Sequence, residues 1–261
     1  MPRYDFSAPR LFVEEQLAPG SRFQLNQPQT NYLVSVLRMR PGNHVLVFNG
    51  RDGEWLAELA NVSKRSAELA VLQQSRAQET GPDIDYCFAP LKHARLDYMV
   101  QKAVEMGARR LVPVVTKRTQ VARINLSRMR ANAIEAAEQC GILALPESVG
   151  EMSLSAYLKQ RPAERLLIFC DEEAEVANPI AALQHAKAGL HHTPTLALLI
   201  GPEGGFDPTE REALMAAPNV LPISLGPRIL RADTAAVAGL ALLQAVLGDW
   251  NAEPARTTMS P

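Results

Sequence analysis

The spacing of apolar residues differs between the first 75 residues and the rest of the chain. In this first part, short apolar runs are bounded by turn pairs such as Pro41-Gly42 and Asn49-Gly50, as is typical of strands joined by tight turns. One longer segment, 29–38, has helical spacing. The runs predict strands at 10–13, 45–48, 55–59 and 67–72. Short strands around one helix indicate a small β-barrel, a frequent RNA-binding accessory.

After a polar segment at 73–82, which is the predicted linker, apolar strands alternate with amphipathic helices. The predicted strands are 86–89, 111–115, 166–170, 196–200 and 220–225, and the predicted helices are 95–106, 127–139, 179–188, 208–217 and 234–247. This alternation predicts an α/β domain with a mostly parallel sheet. The domain boundaries that follow are 1–75 for the barrel, 76–250 for the α/β domain and 251–261 for a flexible tail.

The last helix has an unusual composition. Between Ala235 and Leu247 its only polar side chain is Gln244, so nearly its whole circumference must be covered. We expect one face to lie in the core and another in a subunit interface. Asp233 stands where a helix N-cap is expected.

Charge is unevenly distributed along a chain whose formal net charge is −1. Between Lys92 and Arg130 there are ten basic and two acidic residues, whereas from Ala131 onward there are eight basic and sixteen acidic residues. A basic surface of this kind can bind nucleic-acid phosphates, although a solvated charged face is an equally good interpretation of charge alone.

Cysteine content and apolar run lengths exclude several classes of protein. Three dispersed cysteines argue against a disulfide framework and against a zinc site, and no metal is expected. The chain has neither a signal-peptide pattern nor an apolar run of roughly 20 residues. A soluble cytoplasmic protein is therefore expected.

Two loops after predicted strands carry the candidate chemistry. Gly201-Pro202-Glu203-Gly204-Gly205 follows the strand at 196–200, and the loop at 226–232 contains Arg228 and Arg231. Ligands of α/β sheets bind beyond the carboxyl ends of the strands, and glycine allows a close backbone approach. The first loop alone is most simply a structural turn, whereas the two arginines of the second loop, beside a buried helix, are costly unless they bind something.

Together, G-P-E-G-G and the following L-G-P-R-I-L-R-A-D-T resemble the SPOUT methyltransferases, and within them the family that methylates N3 of a uridine in 16S ribosomal RNA. The resemblance extends over nearly the whole chain. It includes P-R-L-F-V at 9–13, V-L-R at 36–38, Q-K-A-V-E-M-G at 101–107, K-R at 117–118 and E-A-A-E-Q-C-G at 135–141. Two positions depart from the family pattern: Asp233 replaces a usual glutamate, and Ile142 replaces a usual arginine.

The resemblance implies a PUA-like N-terminal barrel that grips RNA, a C-terminal α/β domain with a deep trefoil knot, and a homodimer. It also implies S-adenosylmethionine as the methyl donor. The implied cofactor residues are Cys170, Ile200, Gly201, Glu203, Gly204, Leu225, Gly226, Ile229 and Leu230.

Catalytic roles follow from the chemistry of uracil, because N3 is nucleophilic only once it has lost its proton. A fixed cation can stabilise the resulting anion, and Arg231 is the first candidate, ahead of Arg228. Glu203 and Asp233 are the candidate bases by motif position. The proposed contacts to 16S ribosomal RNA or the small ribosomal subunit are Arg10, Arg38, Arg40, Lys92, Arg118 and Arg228.

Two alternatives stay open at this point. The first is a SPOUT enzyme that methylates another RNA atom, such as a ribose 2′-oxygen. The second is a non-catalytic RNA-binding or ribosome-assembly protein with the same fold, which would bind S-adenosylmethionine without transferring its methyl group.

Overall fold

The computed structural model describes residues 8–63, 66–120, 123–175, 178–189 and 194–250, with the backbone alone for residue 93. The predicted flexible tail, 251–261, lies outside the described residues. The described chain divides into two compact units. The first contains 8–80 and 137–145, and the second contains 81–136 and 146–250. The domain limits 1–75 and 76–250 stay predictions.

The first unit is built on a five-stranded sheet in the order β1-β3-β4-β5-β2. β1 and β3 are parallel, and the other neighbours are antiparallel. The strands are β1 (Arg10–Phe12), β2 (Arg22–Gln24), β3 (His44–Phe48), β4 (Glu54–Ala60) and β5 (Glu68–Arg76). β2 was not predicted, because a three-residue strand with two exposed polar residues has no apolar run. The linker prediction is wrong for 73–76, which continue β5.

The helical segment that starts at Gln27 begins with polar local contacts. The Asn26 side chain accepts a bond from the Gln29 N–H, and the Gln29 side chain accepts one from the Asn26 N–H, a complete capping box. α1 (Gln27–Thr30) continues as a π-helical turn, Asn31–Val36. The segment ends before the predicted residue 38, because Arg38 has a φ of 57°, which is outside the helical region.

The second unit contains a parallel sheet, as the alternating pattern predicted. Its strands lie in the order β12-β10-β11-β6-β7-β8, with β9 also paired to β7. The strands are β6 (Ile84–Phe88), β7 (Arg110–Val115), β8 (Glu147–Ser148), β9 (Met152–Ser153), β10 (Leu166–Cys170), β11 (Leu196–Ile200) and β12 (Val220–Ile223). The helices are α2 (His93–Glu105), α3 (Leu126–Cys140), α4 (Leu154–Gln160), α5 (Pro179–Ala188), α6 (Pro208–Ala216) and α7 (Ala232–Val246).

The last helix, α7, packs against α2, α5 and β11. The amide side chain of Gln244 in this helix forms hydrogen bonds through both of its polar atoms. Nε2 donates to the carbonyl of Met106 at the end of α2 (2.6 Å), and Oε1 accepts from the Asp249 N–H (3.1 Å). Gly239 lies against the sheet, since a Cβ there would approach Leu198 Cδ2 within 3.0 Å. No helix in the described part of the chain, α7 included, is long and apolar enough to cross a membrane.

The predicted N-cap role of Asp233 is wrong. α7 begins at Ala232, Arg231 occupies the N-cap position, and Asp233 lies in the first turn. There its carboxylate accepts a bond from the Thr234 N–H (2.9 Å). A carboxylate in the first turn still interacts favourably with the helix dipole.

Candidate functional site

The loops after three neighbouring strands form a cleft at one edge of the second unit's sheet. β12, β10 and β11 are adjacent and parallel, so their carboxyl ends meet at the same edge. The cleft has a volume of about 170 Å3. Its walls are Arg118, Cys170, Asp171, Glu172, Glu173, Ile200, Gly201, Pro202, Glu203, Gly205, Phe206, Arg211, Ser224, Leu225, Gly226, Arg228, Ile229, Leu230, Ala232 and Ala235.

Most of the implied cofactor residues meet in this cleft. Cys170, Ile200, Gly201, Glu203, Leu225, Gly226, Ile229 and Leu230 all line it. Gly204 is not among the lining residues; its carbonyl accepts a bond from Arg118 Nη1 (2.8 Å).

The two conspicuous glycines are required for different reasons. A Cβ on Gly201 would lie 2.4 Å from Phe206 Cε2, and the Phe206 ring packs edge-on against Phe169 at 5.0 Å between centroids. Gly201 therefore makes room for an aromatic side chain of its own loop. Gly226 has a φ of 104° and open space around its Cα, a conformation that favours glycine.

The cleft has apolar and acidic walls. Ile229 is 91% exposed, which leaves a large apolar side chain unprotected beside Leu225 and Leu230. Burial raises the pKa of the Cys170 thiol to about 12, so this thiol is protonated at neutral pH and acts as a small apolar group.

The acidic wall comes from the segment 171–175, which from sequence is most simply a solvated loop. That interpretation is wrong for Asp171, which is 6% exposed and forms an ion pair with Arg211 (Nε to Oδ2, 2.9 Å). Glu172 Oε1 lies 2.9 Å from the position of a Cβ on Gly205. Only the three-dimensional structure brings these carboxylates to the same loop edge.

The sequence did not single out Arg95, which lies in the first turn of α2. Arg95 Nε lies 3.2 Å from Asp233 Oδ2, and Arg95 Nη1 forms an ion pair with Glu203 Oε1. One guanidinium thus joins the loop after β11 to the first turn of α7. We call Arg95, Glu203 and Asp233 the Arg95 cluster.

This cluster changes the interpretation of the two candidate bases. Burial raises the pKa of Asp233, but hydrogen bonds from Arg95 and from the Thr234 N–H outweigh burial and give a net lowering. The hydrogen bonds from Arg95 to Asp233 and Glu203 in turn raise the pKa of Arg95, and the bond to Asp233 contributes most. Because a lowered pKa reduces the affinity of a carboxylate for protons, Asp233 accepts a proton less readily than an ordinary aspartate, and its role as a base stays a prediction.

The two candidate arginines of the second loop are both exposed. Arg228 lines the cleft, whereas Arg231 occupies the N-cap position of α7. Among the described residues neither side chain has an ion-pair partner, so both retain their donors for a ligand.

The proposed RNA contacts fall into two groups. Arg38, Arg40, Lys92, Arg118 and Arg228 are exposed. Arg10 instead forms an ion pair with Glu54 (Nε to Oε2, 2.8 Å) and donates to the carbonyl of Ala137 (2.6 Å). Arg76 Nη2 also pairs with Glu54 Oε2 (3.0 Å). We call Glu54, Arg10 and Arg76 the Glu54 cluster; its contacts engage the Arg10 guanidinium within the first unit, and RNA binding by Arg10 stays a prediction.

Comparison with known proteins identifies matches for both units. Residues 78–244 match a family described as an RNA methyltransferase domain, and residues 25–72 match one described as an RNA methyltransferase PUA domain. The second match supports the expected PUA-like character of the five-stranded unit.

Similar proteins match over most of their length. The ribosomal RNA small subunit methyltransferase E of Rickettsia conorii is 29% identical over 89% of this chain and 93% of its own. The crystal structure of the enzyme of that name from Neisseria gonorrhoeae, bound to S-adenosylmethionine, is 28% identical with a TM-score of 0.81. A Legionella pneumophila methyltransferase structure with the same cofactor is also 28% identical, with a TM-score of 0.80. Each structure match covers 93% of this chain and 99% of the other.

Proposed function

Because this chain belongs to the RNA methyltransferase family, we propose that it transfers a methyl group from S-adenosylmethionine to N3 of one uridine in 16S ribosomal RNA. The observation that carries the proposal is the cleft at the ends of β10, β11 and β12. It is lined by eight of the nine residues expected to hold the cofactor. The Neisseria gonorrhoeae structure, whose match covers 93% of this chain, has S-adenosylmethionine bound.

The chemistry of the cleft fits this methyl donor. An adenine ring needs apolar cover, and Leu225, Ile229 and Leu230 supply it. The methyl donor carries positive charge on its sulfonium and on its α-ammonium group. Glu172 and Glu203 line the same cleft and can compensate that charge. Gly226 has open space where a side chain would stand, which leaves its backbone accessible to a ligand. When bound, the donor supplies a methyl group on a sulfonium sulfur that leaves as a neutral thioether.

The protein's task is then to stabilise the uracil anion and hold N3 in line with the methyl group. Loss of the N3 proton to solvent spreads negative charge over O2 and O4, and Arg231 is the proposed cation for that charge. Arg228 is assigned to a phosphate of the same nucleotide or its neighbour. Glu203 and Asp233 are assigned to positioning. Through Arg95 they hold the loop after β11 and the first turn of α7 together, which orients the reacting groups.

RNA binding is proposed for exposed cations of each unit. Arg38 and Arg40 flank Met39 in the first unit, next to Val36 and Leu37, which are 60% and 39% exposed. Exposed apolar side chains beside arginines suit unstacked RNA bases and their phosphates. In the second unit, the proposed contacts are Lys92, Arg118 and Arg228. Activity on ribosomal RNA implies a cytoplasmic location.

A homodimer is proposed on the outer side of α7. Leu240 is 0% exposed, which assigns that residue to the monomer core, whereas Val237, Ala238, Ala241 and Leu242 are only partly buried. An apolar strip of this kind favours a partner. Leu242→Glu should therefore yield monomers, as measured by sedimentation, while Leu240→Glu should unfold the chain.

The test of function is methyl transfer from labelled S-adenosylmethionine to purified 16S RNA and to small ribosomal subunits. N3 methylation blocks the Watson–Crick edge of uracil, so reverse transcription should stop beside the modified uridine. Nucleoside mass analysis should locate the added methyl group on the base. A methyl group on ribose would support the alternative SPOUT activity, and bound cofactor without transfer to either RNA would support the non-catalytic alternative.

A further inference from the structure

A second cavity lies in the same unit as the cofactor cleft and shares no lining residue with it. We call it the α2–α3 pocket. Its volume of about 220 Å3 is several times the roughly 30 Å3 that one water occupies in the liquid. It is lined by Leu91, Lys92, Leu96, Asp97, Val100, Arg123, Ile124, Asn125, Arg128, Met129 and Asn132.

The floor of the α2–α3 pocket is apolar. Leu91, Val100 and Met129 are 6%, 0% and 2% exposed, and Leu96 and Ile124 add partly buried aliphatic surface. Such a floor offers aliphatic contact to a flat group such as a nucleobase, which every base can use whatever its sequence.

The rim of the pocket is cationic. Lys92, Arg123 and Arg128 are exposed, and among the described residues Lys92 and Arg123 have no ion-pair partner. The single acid of the lining, Asp97, accepts bonds from Arg128 Nε (2.9 Å) and Asn132 Nδ2 (2.7 Å). Its charge is therefore balanced by Arg128, and the two other cations give the rim a net positive charge suited to phosphate.

Helix α3 adds to this charge. It begins at the pocket, where Asn125 Oδ1 accepts the Arg128 N–H at 3.0 Å. A helix N-terminus carries partial positive charge. In the described part of the chain the Asn125 side-chain amide has no acceptor, which leaves both of its hydrogens for a ligand.

Helix α2 relates this pocket to the cofactor cleft. Lys92 occupies the N-cap position of α2 and lines the pocket, and three residues later Arg95 contacts Asp233 and the cleft residue Glu203. Residues three apart on a helix have Cβ atoms about 5–6 Å apart. The two sites are therefore close enough for adjacent nucleotides of one strand.

We propose that the α2–α3 pocket binds a nucleotide that flanks the target uridine in the same RNA strand. Its base lies on the aliphatic floor, and its phosphate contacts Lys92 and Arg123 beside the fixed guanidinium of Arg128. This proposal rests on the proposed RNA methyltransferase function. It predicts that the enzyme reads a splayed strand of at least two nucleotides rather than one flipped base.

The first test removes the two unpaired cations together in Lys92→Gln/Arg123→Gln. The matched control is Arg109→Gln/Lys159→Gln, which removes equal charge from exposed positions of the same unit. We expect KM for 16S RNA to rise on the order of 10-fold with little change in kcat. The slope of log affinity against log salt should fall by about 1.4 to 1.8, because two cation–phosphate contacts are lost. Calorimetry should give unchanged S-adenosylmethionine affinity.

The second test is photo-crosslinking of the full-length wild-type protein to 16S RNA that contains 4-thiouridine. Peptides from 91–100 or 123–132 should carry the crosslinked nucleotide, and Leu96→Glu should remove that crosslink. The pocket proposal would be overturned if wild type methylates 16S RNA and the two double variants have the same kinetics and the same salt slopes. Absence of methylation by wild type would instead overturn the proposed function, and the crosslinked peptides would still decide whether RNA occupies the pocket.

Discussion

The Glu54 cluster and the Arg95 cluster use the same three-charge chemistry in opposite ways. In the first, two arginines share one carboxylate whose side chain is 4% exposed. In the second, one arginine is shared by two carboxylates that are 48% and 19% exposed. The first cluster is closed to ligands, whereas the second stands at the mouth of a cleft. Burial, rather than charge composition, distinguishes the two clusters.

The energetic consequences of the two clusters differ for the same reason. Removing one partner from a buried ion pair leaves an uncompensated charge in a poorly solvated place, which is strongly destabilising. Exposed pairs contribute about 0–1 kcal/mol. The Glu54 cluster should therefore determine stability of the first unit, and the Arg95 cluster should determine geometry of the cofactor loops.

The largest effect is expected for Glu54→Gln. Without this carboxylate, Arg10 and Arg76 face each other with no shared counter-charge, and the free energy of unfolding should fall by about 3 kcal/mol. Urea unfolding can be followed through Trp55, which is buried in the same unit. Arg10 and Arg76 hold the pKa of Glu54 below its ordinary value despite burial. The stabilisation is therefore complete above the ordinary glutamate pKa and is lost as pH falls through the folded-state value.

The matched control for this variant is Glu68→Gln. Glu68 also pairs with an arginine, Arg22 (2.9 Å), but the Arg22 side chain is 61% exposed. Its loss should cost less than about 1 kcal/mol. Equal destabilisation by both glutamine variants would show that burial does not distinguish the two pairs.

The second prediction concerns Arg95→Met. We expect kcat/KM for methyl transfer to fall about 100-fold, because a displacement of about 1 Å at a reacting centre has an effect of that size. The unfolding free energy should change by less than about 1 kcal/mol. Arg95→Lys should recover part of the activity, since an ammonium keeps the charge but loses the planar fork. A variant that loses stability in proportion to activity would make this cluster structural as well.

The sequence predicts the ion-pair partners of neither Arg10 nor Arg95. Arg10 belongs to a motif of the resembling family, which supports an expectation of RNA binding but does not reveal its ion pair with Glu54. Arg95 lies 108 and 138 residues from its partners, and no local pattern marks such contacts. Periodicity and turn chemistry act over a few residues, whereas ion pairing between distant loops depends on the folded chain.

Local patterns were sufficient where one element determines its own limits. β10, β11 and α5 have the predicted bounds, because each strand is a continuous apolar run and α5 begins with a proline after an asparagine cap. The segment 142–165 was left unassigned, and it contains β8, β9 and α4. A two-residue strand is defined by its pairing, here with β7, and this pairing forms only in the tertiary structure.

A third prediction separates the two carboxylates of the Arg95 cluster. Glu203→Gln removes one charge-assisted bond and should lower kcat/KM about 10-fold, which corresponds to roughly 1.4 kcal/mol for a bond to a charged group. In the Arg95→Met background the same change should have almost no further effect, because its partner is already absent. Single-turnover RNA methylation by wild type, the two single variants and the double variant measures this coupling. Additive losses would show that Glu203 acts independently of Arg95.

The smallest effect is expected for Asp233→Glu, which installs the residue usual in the resembling family. The longer side chain keeps its charge in the first turn of α7 and stays within reach of the flexible Arg95 side chain. Asp233→Asn keeps the size and removes the charge, so it should behave like Glu203→Gln. We expect Asp233→Glu to change kcat/KM by less than about 5-fold, or about 1 kcal/mol. If it instead matched Asp233→Asn, the length of the carboxylate arm rather than its charge would set the loop geometry, and the cluster would be as rigid as the buried one around Glu54.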